Sequence, residues 1–357
     1  MGMTKPKIIV VGLGWACVAF LATIDTDKYY IEVHSPDSTF VYTPLLAQSI
    51  KNRKEITLHG SDIHGDVVFK NDEVVDIDFQ TREVRLRGAE NSSYDFLVLS
   101  HGSATNTFGI PGIEENCYFL KNAEHAETLR EKLQALPSNA HIAVIGCGLT
   151  GSEVIGTLID YRKFHIHAID ALPRPIAMFD ERLSAYALRV WKECHVRTHM
   201  NCSVSSLDAT GIHLNNKEKI AYDIAIWCGG IKKSHLTDKI LTTLKLENGK
   251  GLPVDAYLNV KNTKNVYAMG DCAVSGCPPT AQVAFQQGRY LAHQFNSGLD
   301  KKRPFHHENA GQIAYVGAGK GVCQLHYFSG GGRLVYYINK VIHVYNGVTW
   351  KQKYNLW

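Results

Sequence analysis

The chain has 357 residues, 45% of them apolar and 20% charged, with 38 Lys plus Arg against 34 Asp plus Glu for a net charge of +4. That length predicts two or three domains, and the apolar fraction excludes intrinsic disorder. Residues 309–357 carry five basic residues (Lys320, Arg333, Lys340, Lys351, Lys353) and no acid, which leaves the first 308 residues at −1, so the body of the chain is too neutral for a nucleic-acid binder.

Lys7 to Val11 is a short aliphatic run of the kind found in a parallel strand buried on both faces. GLGWAC (Gly12 to Cys17) follows it and leads into helical spacing, the order of strand, turn and helix that supports a dinucleotide-binding fingerprint. Gly12 makes the turn and Gly14 lets the backbone approach a pyrophosphate, while the third glycine position holds Cys17. The second strand, Tyr30 to His34, ends at Ser35 rather than at an acid. The arrangement repeats from His141, where HIAVIG runs into GCGLTG (Gly146 to Gly151) with all three glycines present. A helix is expected from Ser152, and HIHAID ends at Asp170, 24 residues after Gly146, near the spacing at which a carboxylate binds the adenosine ribose. An acid there, with no Arg immediately after it, predicts NAD(H) over NADP(H).

Three further segments argue that both turns bind nucleotides. Tyr94 to Ser103 and Tyr222 to Ile231 each present an acid, a buried strand and a small-residue turn, once after each unit. Asn265 to Ala273 sets Asp271 behind a buried strand and a glycine. Pro278 to Gly288 opens a helix rich in small residues and amides.

On GLGWAC, SPDSTFVYTPLLAQS, NTFGIPGIEENCYFLK, GCGLTGSE, WCGGIKKS, GLPVDAYLNVKNTKNVYAMGDCA and PPTAQVAFQQGRYLA, the chain resembles the two-dinucleotide-binding flavoproteins of the FAD-dependent pyridine nucleotide-disulfide oxidoreductase superfamily. Within them it is similar to the type II NADH:quinone oxidoreductases, or alternative NADH dehydrogenases. The resemblance runs from about Lys5 to Trp357 and implies an α/β fold of two Rossmann-like domains, for FAD and NADH, plus a small C-terminal segment. The implied boundaries are residues 1–112 and 253–304 for a discontinuous FAD domain, 113–252 for the NADH domain and 305–357 for a quinone-site, membrane or dimerisation segment.

The resemblance also implies roles. Gly12, Gly14, Trp15 and Ala16 would meet the FAD pyrophosphate, Ser35 its ribose, Thr43 and Pro44 the flavin ring, Val74 the adenine through backbone, and Asp271 the ribityl chain, with Gly102 and Ala281 completing the FAD contacts. Gly146, Gly148, Thr150 and Gly151 would cradle the NADH phosphates, Asp170 would take its ribose, Glu153 would orient the nicotinamide, and Gly229 and Gly230 would wall it. Gln282 and Gln286 would edge the quinone, in an FAD-dependent, non-proton-pumping transfer of hydride from NADH to flavin and of two electrons to quinone. The chain departs from the family at Cys17, at Asp37, where an Arg commonly follows Ser-Pro, and at His101, in a turn that is usually Ala-x-Gly. Two other readings stay open: an FAD-binding structural or interaction protein, and an NADH oxidoreductase with another acceptor. TPLLAQS carries no cysteine where disulfide reductases have a redox pair, which disfavours thiol chemistry.

At the basic end, Leu334, Tyr337, Ile338, Val341, Ile342, Tyr345 and Val348 recur at helical spacing. Such a stripe with basic neighbours suits a helix lying on an anionic membrane surface or at a homodimer interface. No uninterrupted run of about 18 apolar residues exists, so no spanning helix is expected. Nine scattered cysteines predict a reducing intracellular compartment. The first strand at Lys7 leaves no room for a signal or transit peptide, so the location expected is cytoplasmic or peripheral on the cytoplasmic face of a membrane. No metal is expected, because the histidines and cysteines do not fall at ligand spacing.

Overall fold

The computed structural model describes residues 5–299 and 303–345. Thirteen of the strands among the described residues build the sheets that position the sites: β1 (Lys7–Val11), β2 (Tyr30–His34), β3 (Val68–Lys70), β4 (Phe96–Leu99), β5 (Cys117–Phe119), β6 (His141–Ile145), β7 (His165–Ile169), β8 (Arg197–His199), β9 (Ile224–Trp227), β10 (Val266–Ala268), β11 (Gln312–Gly317), β12 (Lys320–Gln324) and β13 (Ser329–Gly332). The helices that matter are α1 (Trp15–Leu21), α2 (Leu149–Tyr161), α3 (Ala281–Asn296) and α4 (Arg333–Tyr345). Two compact units form: unit 1 from the described residues within 1–41, 57–104 and 231–308, and unit 2 from those within 42–56, 105–230 and 309–357.

Unit 1 is built on a five-stranded parallel sheet of order β10-β4-β1-β2-β3. Alternation along each strand explains the unbroken apolar runs. Ile8, Val10, Val33 and Val98 pack under α1 and α3, whereas Ile9, Val11, Leu97 and Leu99 pack against Val74, Ile77, Val84, Ile240 and Leu241 on the opposite face.

Unit 2 repeats the plan with a second parallel sheet of order β5-β9-β6-β7-β8. Ala143, Ile145, Ile169, Ala225 and Trp227 share a core with Val204, Leu207, Ile212 and Leu214. An antiparallel meander of β11, β12 and β13 lies against α2, and the approach is close enough that a Cβ on Gly156 would stand 2.7 Å from Gly317 N. The fold is therefore α/β with two Rossmann-like sheets. β1 and β2 coincide with the expected strands. α2 starts three residues before the expected Ser152, because Gly148 in extended conformation serves as its N-cap.

Helix α4 forms over the predicted stripe, and its sides are sorted in an unusual way. Leu334, Tyr337 and Val341 are 69%, 61% and 54% exposed, whereas Asn339 and His343 are only 2% and 6% exposed. Ile338 and Ile342 are half-buried. The Tyr345 side chain and Val348, at the end of the stripe, lie outside the described residues. No helix among the described residues is long and apolar enough to cross a membrane.

Candidate dinucleotide sites

The two units match hydrogen bond for hydrogen bond at the ends of their sheets. Gly12 N–H donates to His34 O in unit 1 and Gly146 N–H to Ile169 O in unit 2, both at 2.8 Å. Ser100 N–H meets Val11 O at 2.8 Å, and Cys228 N–H meets Ile145 O at 2.7 Å. Ser35 N–H donates to Lys70 O (3.1 Å) as Asp170 N–H does to His199 O (2.9 Å), so Ser35 stands in unit 1 where Asp170 stands in unit 2. The acids singled out before β4 and β9 act as strand clamps: Asp95 Oδ2 accepts from Lys7 N–H and Asp223 Oδ2 from His141 N–H, each at 2.7 Å.

In both turns glycine is required by space as well as by dihedral angle. Gly12 (φ +99) and Gly146 (φ +96) occupy the left-handed region, and a Cβ there would lie 2.6 Å from His101 Cα or 2.7 Å from the Cys228 carbonyl. Gly14 and Gly148 are the N-caps of α1 and α2 without a side-chain cap, and a helix N-terminus is a site that favours an anion. A Cβ on Gly148 would meet nothing within 4 Å, which leaves room at the mouth of the loop, whereas one on Gly151 would lie 1.8 Å from Gly146 O. Cys17 fills the corresponding position of unit 1 and is fully buried, with its thiol pushed up by burial. The close approach in that unit falls instead between α1 and α3, where a Cβ on Gly288 would lie 2.1 Å from Ala16 O. These cradles fit a diphosphate in each unit.

Unit 1 gathers Gly12, Gly14, Trp15, Ala16, Ser35, Val74, Gly102, Asp271, Ala281, Gln282 and Gln286; unit 2 gathers Thr43, Pro44, Gly146, Gly148, Thr150, Gly151, Glu153, Asp170, Gly229 and Gly230. Trp15 opens α1 edge-on to Phe40, with ring centroids 5.1 Å apart. Val74 is buried in the core, so its backbone alone is available to a ligand. Gly102 has φ +69 with open space at its Cβ. Asp271 sits in a 3₁₀ turn, where Ser103 Oγ donates to its Oδ2 at 3.2 Å. Thr43 and Pro44 open a 3₁₀ turn of their own, and Thr150 is exposed in the first turn of α2.

Asp170, the expected ribose acid, has both carboxylate oxygens engaged by backbone. Its Oδ2 accepts from Cys147 N–H (2.6 Å) and its Oδ1 from Leu172 N–H (2.8 Å), so the carboxylate also braces the glycine loop. Gly229 abuts the Trp227 ring, and Gly230 (φ +111) faces Phe108. Gln286 is occupied: its Oε1 accepts from Glu308 N–H (2.9 Å) and its Nε2 donates to Glu308 O (2.8 Å), which ties α3 to residues 307–308.

Two further residues lie beside these turns: Gln287, which the sequence reading did not single out, and His101, noted there only as a departure from the family. Gln287 is buried, its Oε1 accepts from Gly270 N–H (2.7 Å) and its Nε2 donates to Ser275 Oγ (2.8 Å), fixing the turn that carries Asp271. His101 has Nε2 2.9 Å from Thr237 Oγ1 and a buried Nδ1 without a partner, and burial lowers its pKa to about 4, so it is neutral at physiological pH. The paired amides of QQG were the only signal for Gln287.

Glu153 lies on α2 beneath the meander. Burial raises its pKa to about 8, against the smaller opposing effect of a hydrogen bond from the Tyr315 backbone. The folded carboxyl thus keeps its proton across a window in which the unfolded one has lost it, so this group's contribution to stability falls as pH rises from about 4.5 to about 8 and is constant above. Glu153→Gln is expected to raise Tm relative to the parent by a margin that grows between about pH 5 and about pH 9; calorimetry at both values checks this, and a margin independent of pH contradicts it.

Two glycine-hinged βα loops on two parallel sheets define a tandem dinucleotide-binding oxidoreductase fold. The chain belongs to the pyridine nucleotide-disulphide oxidoreductase family, whose pattern matches residues 6–288. It is 30% identical to a probable mitochondrial NADH-ubiquinone oxidoreductase of Schizosaccharomyces pombe, over 82% of this chain and 62% of that protein. It is 28% identical to a probable NADH dehydrogenase of Dictyostelium discoideum, over 98% and 84% of the two chains. In fold it is similar to NDH2 from Plasmodium falciparum in complex with NADH, with a TM-score of 0.92, 22% identity and coverage of 99% and 97%. The chain thus spans less than two thirds of the Schizosaccharomyces relative.

Proposed function

We propose that the protein is an FAD-dependent, non-proton-pumping NADH:quinone oxidoreductase. The observation that carries this reading is the duplicated loop, Ser35 at the end of β2 and Asp170 at the end of β7, in a chain whose relatives bear the names of NADH-ubiquinone oxidoreductases. When bound, FAD supplies the two-electron relay between NADH and quinone. The residues of this chain bind and orient. Gly12, Gly14, Trp15 and Ala16 hold the FAD pyrophosphate at the α1 N-terminus, Ser35 its ribose, Val74 its adenine and Asp271 the ribityl chain, with Gly102, Ala281, Thr43 and Pro44 as further contacts. Gly146, Gly148, Thr150 and Gly151 hold the NADH diphosphate, Asp170 its ribose, and Glu153, Gly229 and Gly230 the nicotinamide. Gln282 edges the quinone. Gln286, whose amide is spent on Glu308, acts there by positioning residues 307–308. The proposed discontinuous FAD domain corresponds to unit 1 and the NADH domain with the C-terminal segment to unit 2, and the two divisions differ at residues 42–56, 105–112, 231–252 and 305–308. Purified, FAD-loaded protein is expected to oxidise NADH with a soluble short-chain quinone; no turnover overturns the reading.

The acceptor is lipid-soluble, and α4 presents Leu334, Tyr337 and Val341 outward beside Lys340. This helix is the surface that lies on an anionic membrane, at the cytoplasmic face, and a homodimer through the same segment is the competing use. Replacing the three apolar residues with Glu is expected to abolish cosedimentation with anionic vesicles while leaving Tm within a few degrees, because exposed substitutions cost little. Unchanged sedimentation contradicts membrane contact.

A further inference from the structure

A cavity of about 190 Å³ lies in unit 1 at the end of β2, lined by Leu13, Ser35, Asp37, Ser38, Phe69 and Lys70 among others. Ser35 fills the place where a dinucleotide fold normally puts the acid that holds a ribose diol, and a hydroxyl can make only part of that contact. An acid is nevertheless present two residues later. The turn that carries it is pinned from one side: Ser35 N–H donates to Lys70 O (3.1 Å), the Asn71 amide, once its oxygen and nitrogen are exchanged to satisfy both, donates to the carbonyls of Ser35 and Pro36 (3.3 and 2.6 Å), and the His34 ring meets Asp72 Oδ1 at 2.7 Å. The loop is held in place, and Asp37 shares the wall of the cavity with Ser35. Lys70 lines the same wall.

Resting on the flavoenzyme reading, we infer that Asp37 is the ribose-binding acid of unit 1, displaced by two residues, and that it accepts hydrogen bonds from the 2′,3′-diol of the FAD adenosine while Ser35 supports it. The negative charge at this position, a departure from the resembling family, then favours FAD rather than opposing it. A carboxylate accepts from two vicinal hydroxyls and repels a phosphate, so the site selects an unmodified ribose.

The test is the FAD dissociation constant of the apoprotein, read by flavin fluorescence, for the parent chain and Asp37→Ala, with FAD and with FAD lacking the adenosine 2′-hydroxyl. The expected result is about a tenfold weakening of FAD by Asp37→Ala, and a smaller effect of the substitution on the deoxy analogue, since charge-assisted hydrogen bonds are the strong ones. Asp37→Asn is expected to fall between, and unchanged Tm shows that the loop still folds. Unchanged or tighter FAD binding by Asp37→Ala, or an equal loss for both ligands, overturns the inference while leaving the flavoenzyme reading standing. No FAD binding by the parent chain overturns both.

Discussion

Replacing Gly151 with alanine is expected to lower kcat/KM for NADH by roughly a hundredfold and to lower Tm. The added methyl carbon would lie 1.8 Å from Gly146 O and 2.9 Å from its carbon, and both are backbone atoms of the same loop. No rotamer change relieves such a contact, so α2 must move away from the turn it starts from, at a cost of about 2–3 kcal/mol. The moving part is the one that presents the first N–H groups of α2, and about 1.4 kcal/mol of lost binding in the transition state is a tenfold loss in kcat/KM. Gly148→Ala is the contrasting variant. Its methyl meets nothing within 4 Å, and its backbone is in a region open to alanine, so Tm is unchanged. It stands at the loop mouth, however, and therefore weakens NADH. Thermal unfolding and steady-state kinetics on both variants check the pair; a Gly151→Ala enzyme with parental kinetics contradicts the assignment of this loop.

The second large effect is expected at Gly288, a glycine in the middle of α3 whose substitution by alanine would ordinarily stabilise a helix by about 1 kcal/mol. Here the new Cβ would lie 2.1 Å from Ala16 O and 3.0 Å from Ala19 Cβ. The helix gain is small against a forced separation of α1 and α3, whose shared core includes Ala16, Cys17, Phe20, Leu291 and Phe295. Gly288→Ala is expected to destabilise by about 3 kcal/mol, at the upper end for overpacking, and to reduce bound FAD, because α1 carries Gly14 and Trp15 at its N-terminus. Trimming the neighbouring methyl with Ala19→Gly does not rescue it, since the tighter contact is to a carbonyl. Denaturant titration and flavin content per chain measure both consequences. Parental stability for Gly288→Ala would show that the helices can separate without loss.

The sheets were legible because β1, β4 and β6 are short apolar runs followed by glycine or serine, and β1 and β2 begin and end where the sequence placed them. The duplication was legible for the same reason. What escaped the sequence depends on partners distant in the chain. Gln286 reads as a residue at a substrate's edge until Glu308, 22 positions away, is seen to take its amide. Asp170 reads as a ribose acid, and its second duty on Cys147 N–H follows from a turn geometry that spacing does not encode. In α4 the period was visible but its direction was not. Apolar residues normally make up the buried face, yet here Asn339 and His343 share it with Val335, and Tyr42 Oη stands 3.3 Å from His343 Nδ1. His101 could be marked as a departure in sequence, but its neutrality is a property of burial.

The central claim is that this chain accepts electrons from NADH on a bound flavin and delivers them to a quinone. It is tested most directly by mixing FAD-loaded protein with NADH under anaerobic conditions and following the visible absorbance of the flavin. Bleaching on NADH addition and recovery of the absorbance when a short-chain quinone is added are the expected results. A yellow protein that NADH does not bleach, or a bleached one that quinone does not restore, would contradict it.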